Sequence, residues 1–99
     1  MRAKIHVPQA EIEALSRRHR VRKLALFGSV LRDDFTPESD VDVLVEFEPG
    51  TRVGLRFFAL EQELSALLGR KVDLNTPGFL SKHFRDQVIA EADPLYVAA

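Results

Sequence analysis

The chain has no cysteine, which rules out both a disulfide framework and a thiolate metal site. It also lacks an excess of either charge. Fourteen Lys and Arg stand against fifteen Asp and Glu, for a formal net charge of −1. The broad positive field of a dedicated DNA or RNA binder is therefore missing, and direct nucleic-acid binding is not expected. No apolar run approaches the ~20 residues of a membrane-spanning helix. The opening Met1-Arg2-Ala3-Lys4-Ile5-His6 has none of the apolar character of a secretory leader, so a cytoplasmic protein with no membrane contact is expected. His6, His19 and His83 lack the paired spacing of zinc ligands, Ser29 has no evident histidine partner for a hydrolytic triad, and the spacing of an EF-hand is absent. There is no internal repeat, low-complexity segment or linker. What remains is 99 residues, 45% of them hydrophobic, enough for one domain over 1–99 with a single core. A chain this short has little surface to grip a large acceptor, so a second substrate must bring its own recognition.

The apolar periodicity sets out an α/β arrangement. Pro8 suits the first turn of a helix, and Ile12 and Leu15 give that helix an apolar stripe through about Arg20. Arg17, Arg18, His19 and Arg20 crowd its last turn, where cations offset the exposed carbonyls; a phosphate or RNA contact, with Arg22 and Lys23, is the second reading. Leu24-Ala25-Leu26-Phe27 reads as a buried strand stopping at Gly28, and Ser29 to Arg32 as one or two helical turns. After a polar loop over 33–39, Val41, Val43, Val45 and Phe47 alternate with Asp40, Asp42, Leu44 and Glu46 in a second strand, ended by Pro49-Gly50. Phe57, Leu60, Leu64 and Leu67 mark a long amphipathic helix from about Val53 to Leu68, capped by Gly69, with Glu61 and Glu63 read as solvated. Lys71 to Asn75 is a third strand, with Val72 and Leu74 inward. Ser81 can cap a last helix in which Phe84, Val88 and Ala92 share a stripe, and Asp93-Pro94 ends it, leaving Tyr96 as a packing residue. The expectation is a small mixed three-stranded sheet packed against three main helices.

Chemistry concentrates on two of these strands and one turn. Side chains alternate along a strand, so Asp40 and Asp42 face the same way. Two carboxylates about 4 Å apart repel by roughly 4 kcal/mol at an effective dielectric of 20. Asp73 on the third strand would add to that repulsion. Converging acids are tolerated when a cation neutralises them, when one is protonated, or when they do not in fact converge. Mg²⁺ is the natural cation, since it takes one or two carboxylates and completes its shell with water and substrate phosphates. Two such ions would stabilise both the attacking and the leaving oxygen of an in-line phosphoryl displacement. Gly28 lets the backbone approach a ligand closely and Ser29 offers a hydroxyl and an N–H at a helix start, so the pair forms a small phosphate seat. Arg32, three residues on, can reach phosphate or clamp a neighbouring carboxylate. Each residue has a plain structural alternative: Ser39 and Asp40 as turn residues, Asp42 as a charge on a strand edge, Asp73 as an exposed strand position. The functional reading rests on their combination.

Gly28-Ser29, Arg32, Ser39-Asp40-Val41-Asp42 and Val72-Asp73-Leu74 together resemble the minimal nucleotidyltransferase family, a branch of the DNA polymerase beta-type nucleotidyltransferase superfamily. The likeness spans nearly the whole chain, including Leu44-Val45-Glu46-Phe47 and the Gly69-Arg70-Lys71 approach to the third acid. It implies a nucleotidyltransferase fold in which Asp40, Asp42 and Asp73 bind Mg²⁺ and carry catalysis, and Gly28, Ser29, Arg32 and Ser39 hold ATP. Asp33 stands where many members have glycine, and aspartate tolerates the left-handed backbone better than most residues. The resemblance further implies an antitoxin that moves AMP from ATP to a tyrosine of a partner HEPN-domain ribonuclease toxin. Two other readings stay open: an antitoxin that inhibits its partner by binding alone, and a nucleotidyltransferase acting on a small molecule such as an aminoglycoside.

Overall fold

The computed structural model describes residues 5–32 and 35–98. Helix α1 spans Gln9–Arg18, and Pro8 lies one position outside it, in extended conformation, its carbonyl accepting the Ile12 N–H at 3.0 Å. Ile12, Leu15 and Ser16 are its buried side chains. Arg20, with φ 60°, turns the chain back into strand β1, Val21–Phe27, which begins three residues earlier than the apolar run suggests. A 3₁₀ turn over Gly28–Leu31 follows, then strand β2, Val41–Phe47. Helix α2, Arg56–Leu68, ends at Gly69 with φ 67°, the left-handed cap expected there. Strand β3 is Val72–Asn75, helix α3 is Arg85–Glu91, and strand β4 is Asp93–Val97.

The sheet runs β3-β2-β1-β4. Strand β1 pairs antiparallel with β2 and β4, whereas β2 and β3 are parallel, as a strand–helix–strand crossover through α2 requires. Val43, Val45, Leu24, Leu26 and Leu74 meet Ile12, Leu60 and Leu64 in one core between the sheet and helices α1 and α2. Among the described residues, no helix is long and apolar enough to cross a membrane.

The mixed sheet is as expected, but it has four strands rather than three. Helix α3 ends just before Asp93-Pro94, as expected, but the pair also opens β4: Pro94 lies opposite Ala25 at a register irregularity on an edge strand, where a missing N–H costs least. Leu95 is buried and Tyr96 packs against the core. The last helix is correspondingly shorter than its supposed stripe. None of its residues is buried, and Phe84, just before it, is 47% exposed.

Glu61 and Glu63 are also more than solvated charges. Glu63 receives Arg18 at 2.5 Å and contacts His19, joining α2 to α1. Glu61 acts on the outer edge of β3, where none of the described residues forms a neighbouring strand. Its Oε2 accepts the Leu74 N–H at 2.9 Å, and one helical turn on, Ser65 Oγ accepts the Val72 N–H at 3.0 Å. Helix α2 thus supplies the hydrogen bonds a fifth strand would otherwise make.

Candidate active site

Asp42 is the centre of the acidic face. Its strand neighbour on one side is Phe27, the last residue of β1, and on the other Asp73 of β3. Register partners on adjacent strands project to the same face about 5 Å apart, so the sheet itself sets Asp42 beside Asp73. Asp40 lies just ahead of β2, two residues before Asp42. Directly after Phe27 the chain turns at Gly28, φ 75°, and its backbone packs onto the Asp42 carboxyl: a Cβ at Gly28 would overlap Asp42 Oδ2 and stand 3.3 Å from Cγ. Glycine is required here on two counts, the left-handed backbone and the missing side chain.

The electrostatics agree with the geometry. Burial pushes the Asp42 carboxyl above its ordinary pKa of 3.8, the charges of Asp73 and Asp40 push it further, and Arg32 pulls the other way. Asp40 is exposed and has Lys71 Nζ 3.9 Å from Oδ2, an open ion pair of small energetic weight. Among the described residues no three acids or imidazoles close into a metal cage by themselves. The donors that gather around Asp42 are all carboxylate oxygens, the chemistry of a hard divalent cation that leaves part of its shell to water and phosphate.

Ser29 follows Gly28 in the 3₁₀ turn, its carbonyl accepting the Arg32 N–H at 2.9 Å. Beyond this turn opens a cavity of about 390 Å³, bounded by Phe27, Gly28, Leu31, Arg32, Val88 and Glu91. Its size is in the range of small-ligand sites. Ser39 closes a turn: its Oγ accepts the Thr36 N–H at 3.0 Å, and its N–H donates to the Thr36 carbonyl at 3.0 Å. Asp33 lies outside the described residues. Sequence reasoning missed Val88 and Glu91 of α3 as walls of the cavity, and no spacing in the sequence signals them. It also passed over Lys71, whose place beside Asp40 follows from the β2–β3 pairing.

A glycine turn pressed against a carboxylate that has a second acid at its side could accommodate a phosphate chain, and comparison with known proteins defines the class as enzymes of nucleotidyl transfer. Residues 11–95 match the model of the nucleotidyltransferase domain, and the chain belongs to that family. It is 43% identical over 83 residues to a Methanocaldococcus jannaschii protein provisionally named as a protein adenylyltransferase, covering 84% of this chain and 83% of the relative. With the protein adenylyltransferase MntA of Thermococcus cleftensis it shares 39% identity over 82 residues, 83% of this chain and 82% of the other. A solved structure described provisionally as a minimal nucleotidyltransferase superposes with a TM-score of 0.73 at 36% identity, over 87% of each chain. A chain from a complex of tri-AMPylated Shewanella oneidensis HEPN toxin with MNT antitoxin superposes with a TM-score of 0.62 at 25% identity, over 91% of this chain and 70% of that one. The fold is accordingly a nucleotidyltransferase fold, and the protein is a nucleotidyltransferase.

Proposed function

We propose that this nucleotidyltransferase moves AMP from ATP onto a tyrosine hydroxyl of a partner HEPN ribonuclease toxin, and so acts as its antitoxin in the cytoplasm. The observation that carries the reading is Asp42, packed against the Gly28 backbone and in register with Asp73 on the neighbouring strand, whose charge it feels. The adenylyltransferase names of the relatives and the toxin–antitoxin complex among the structural neighbours support AMP as the group and a protein as the acceptor.

Asp40, Asp42 and Asp73 are the residues that would hold Mg²⁺, as one ion or a pair, and the ion would offset charge on the triphosphate during displacement. Gly28 and Ser29 seat the β and γ phosphates through the open backbone of the turn, and Arg32 holds phosphate while moderating the charge of Asp42. Ser39 keeps the turn that leads into Asp40. Asp73 orients the incoming hydroxyl and accepts its proton. The tyrosine oxygen forms its bond to the α-phosphorus as the bond to the bridging oxygen breaks, and pyrophosphate leaves. Catalysis is then mostly positioning and charge stabilisation.

The test is incubation of the purified protein with adenine-labelled ATP, Mg²⁺ and the cognate toxin, followed by mapping of the label. Label on a toxin tyrosine, abolished by Asp42→Asn, is expected. Undiminished transfer by Asp42→Asn overturns the catalytic assignment. Neutralisation that survives Asp40→Asn with Asp42→Asn, and needs no ATP, identifies inhibition by binding alone, and label on an aminoglycoside identifies a small-molecule enzyme.

A further inference from the structure

The three acids are not secured alike. Asp42 and Asp73 sit within hydrogen-bonded strands and are fixed by their shared register. Asp40 precedes the first residue of β2 and has no place in the ladder. Its position depends on the turn over Thr36–Ser39, and that turn is fastened from outside.

The fastening is Arg70. Its backbone is anchored at the end of α2, where the Arg70 N–H donates to the Ser65 carbonyl at 3.2 Å. Its side chain crosses to the turn, where Nη2 donates to the carbonyls of Thr36 at 2.7 Å and Ser39 at 3.2 Å. The guanidinium also lies over the Phe35 ring, 4.4 Å from its centre. One residue further on, the Lys71 carbonyl accepts the Val41 N–H at 2.9 Å, completing a brace around Asp40 on both sides. The planar guanidinium lies flat on the ring while one of its nitrogens, Nη2, serves both carbonyls; an ammonium has enough donors for the carbonyls but no plane to lay against the ring.

We propose that Arg70 is a positioning residue for the acidic site: it fixes the turn that presents Asp40 to the strand that carries Asp73, and so brings the two outer acids of the site into register. The inference rests on the reading of Asp40 as a cation-binding acid. Arg70 acts through Asp40 and touches neither nucleotide nor cation itself.

The test measures Mn²⁺ binding, by electron paramagnetic resonance of the free ion, in the presence of a non-hydrolysable ATP analogue. Wild type, Arg70→Met, Asp40→Asn and the double variant are compared, with KM for ATP and kcat as a second readout. Arg70→Met keeps an unbranched, flexible side chain and removes every donor. It is expected to weaken Mn²⁺ binding about tenfold, equivalent to ~1.4 kcal/mol, and to cost nothing further once Asp40 is already Asn. Arg70→Lys is expected to fall between Met and wild type. Unchanged Mn²⁺ binding in Arg70→Met, or an equal loss in the Asp40→Asn background, overturns the proposal while leaving the cation site standing. Unchanged binding in Asp40→Asn overturns the cation assignment, and the role of Arg70 with it. If circular dichroism shows Arg70→Met to be unfolded, Arg70→Lys and Phe35→Leu are read by the same comparison and decide in the same way.

Discussion

Replacing Gly28 with alanine separates the two reasons for a glycine at that position. The backbone there has φ 75°, and an L-residue in the left-handed region costs about 1–2 kcal/mol. For a domain of this size that lowers Tm by roughly 4–16 °C. The added Cβ also overlaps Asp42 Oδ2. That atom is the end of a side chain, so the clash is relieved by rotation of the carboxyl at small cost to folding. The cost falls on function instead, because the rotated carboxylate leaves the position between the turn and Asp73. A displacement of about 1 Å at such a group reduces turnover on the order of 10²-fold. Calorimetry and initial rates of AMP transfer, measured at a temperature where Gly28→Ala is fully folded, should therefore show a loss of rate far exceeding the loss of folded protein. In an Asp42→Ala background the same substitution should retain only the backbone part of its stability cost. A Gly28→Ala protein with a lowered Tm and a wild-type rate would refute the argument, since Asp42 would then not depend on the bare glycine.

Three further outcomes can be checked by stability measurements in EDTA. Folding raises the Asp42 pKa through burial and then through Asp73 and Asp40, so the native state holds that proton more tightly than the unfolded chain does. The stability from this group is fully present below the unfolded value near 3.8 and is lost as pH rises through the higher folded value. Asp42→Asn should accordingly raise Tm at pH 7, with the gain vanishing as the pH falls below about 3.8; a Tm lowered at pH 7 would contradict this. Glu61→Leu leaves the Leu74 N–H without its acceptor and should cost about 1–3 kcal/mol in urea unfolding, whereas Glu61→Gln, which keeps an acceptor oxygen, should cost less. Leu60→Ala, at a fully buried core position, should cost about 2–5 kcal/mol by the same measurement, and a value under 1 kcal/mol would mean that the helix is not seated on the sheet as described.

The helix and strand pattern was readable where periodicity was strong and flanked by breakers. Leu60 and Leu64 with Gly69 gave α2, and Val72 with Leu74 gave β3. Strand β4 escaped because its alternation covers only five residues and begins with Asp-Pro, which reads as a stop unless the partner strand is known. The stripe assigned to Phe84, Val88 and Ala92 failed for the converse reason, since a short helix can carry apolar residues at helical spacing without burying them. In the site, the spacing of Asp40 and Asp42 along one strand predicts a common face, but the proximity of Asp73 and Gly28 is a product of strand order, which spacing does not encode. The family resemblance supplied that connection. Glu61, Glu63 and Arg70 were illegible for a simpler reason: a charged residue on an amphipathic helix or in a loop looks solvated until the element it reaches has been placed.

The occupied flank of β3 has a consequence for assembly. With both outward N–H groups already engaged by Ser65 and Glu61, an incoming polypeptide cannot extend the sheet on that side without first displacing two bonds that the protein makes to itself. Asp73 therefore sits on a border strand that is sealed along its rim yet open on its surface. A visiting side chain can arrive from above while the backbone beneath it stays out of reach.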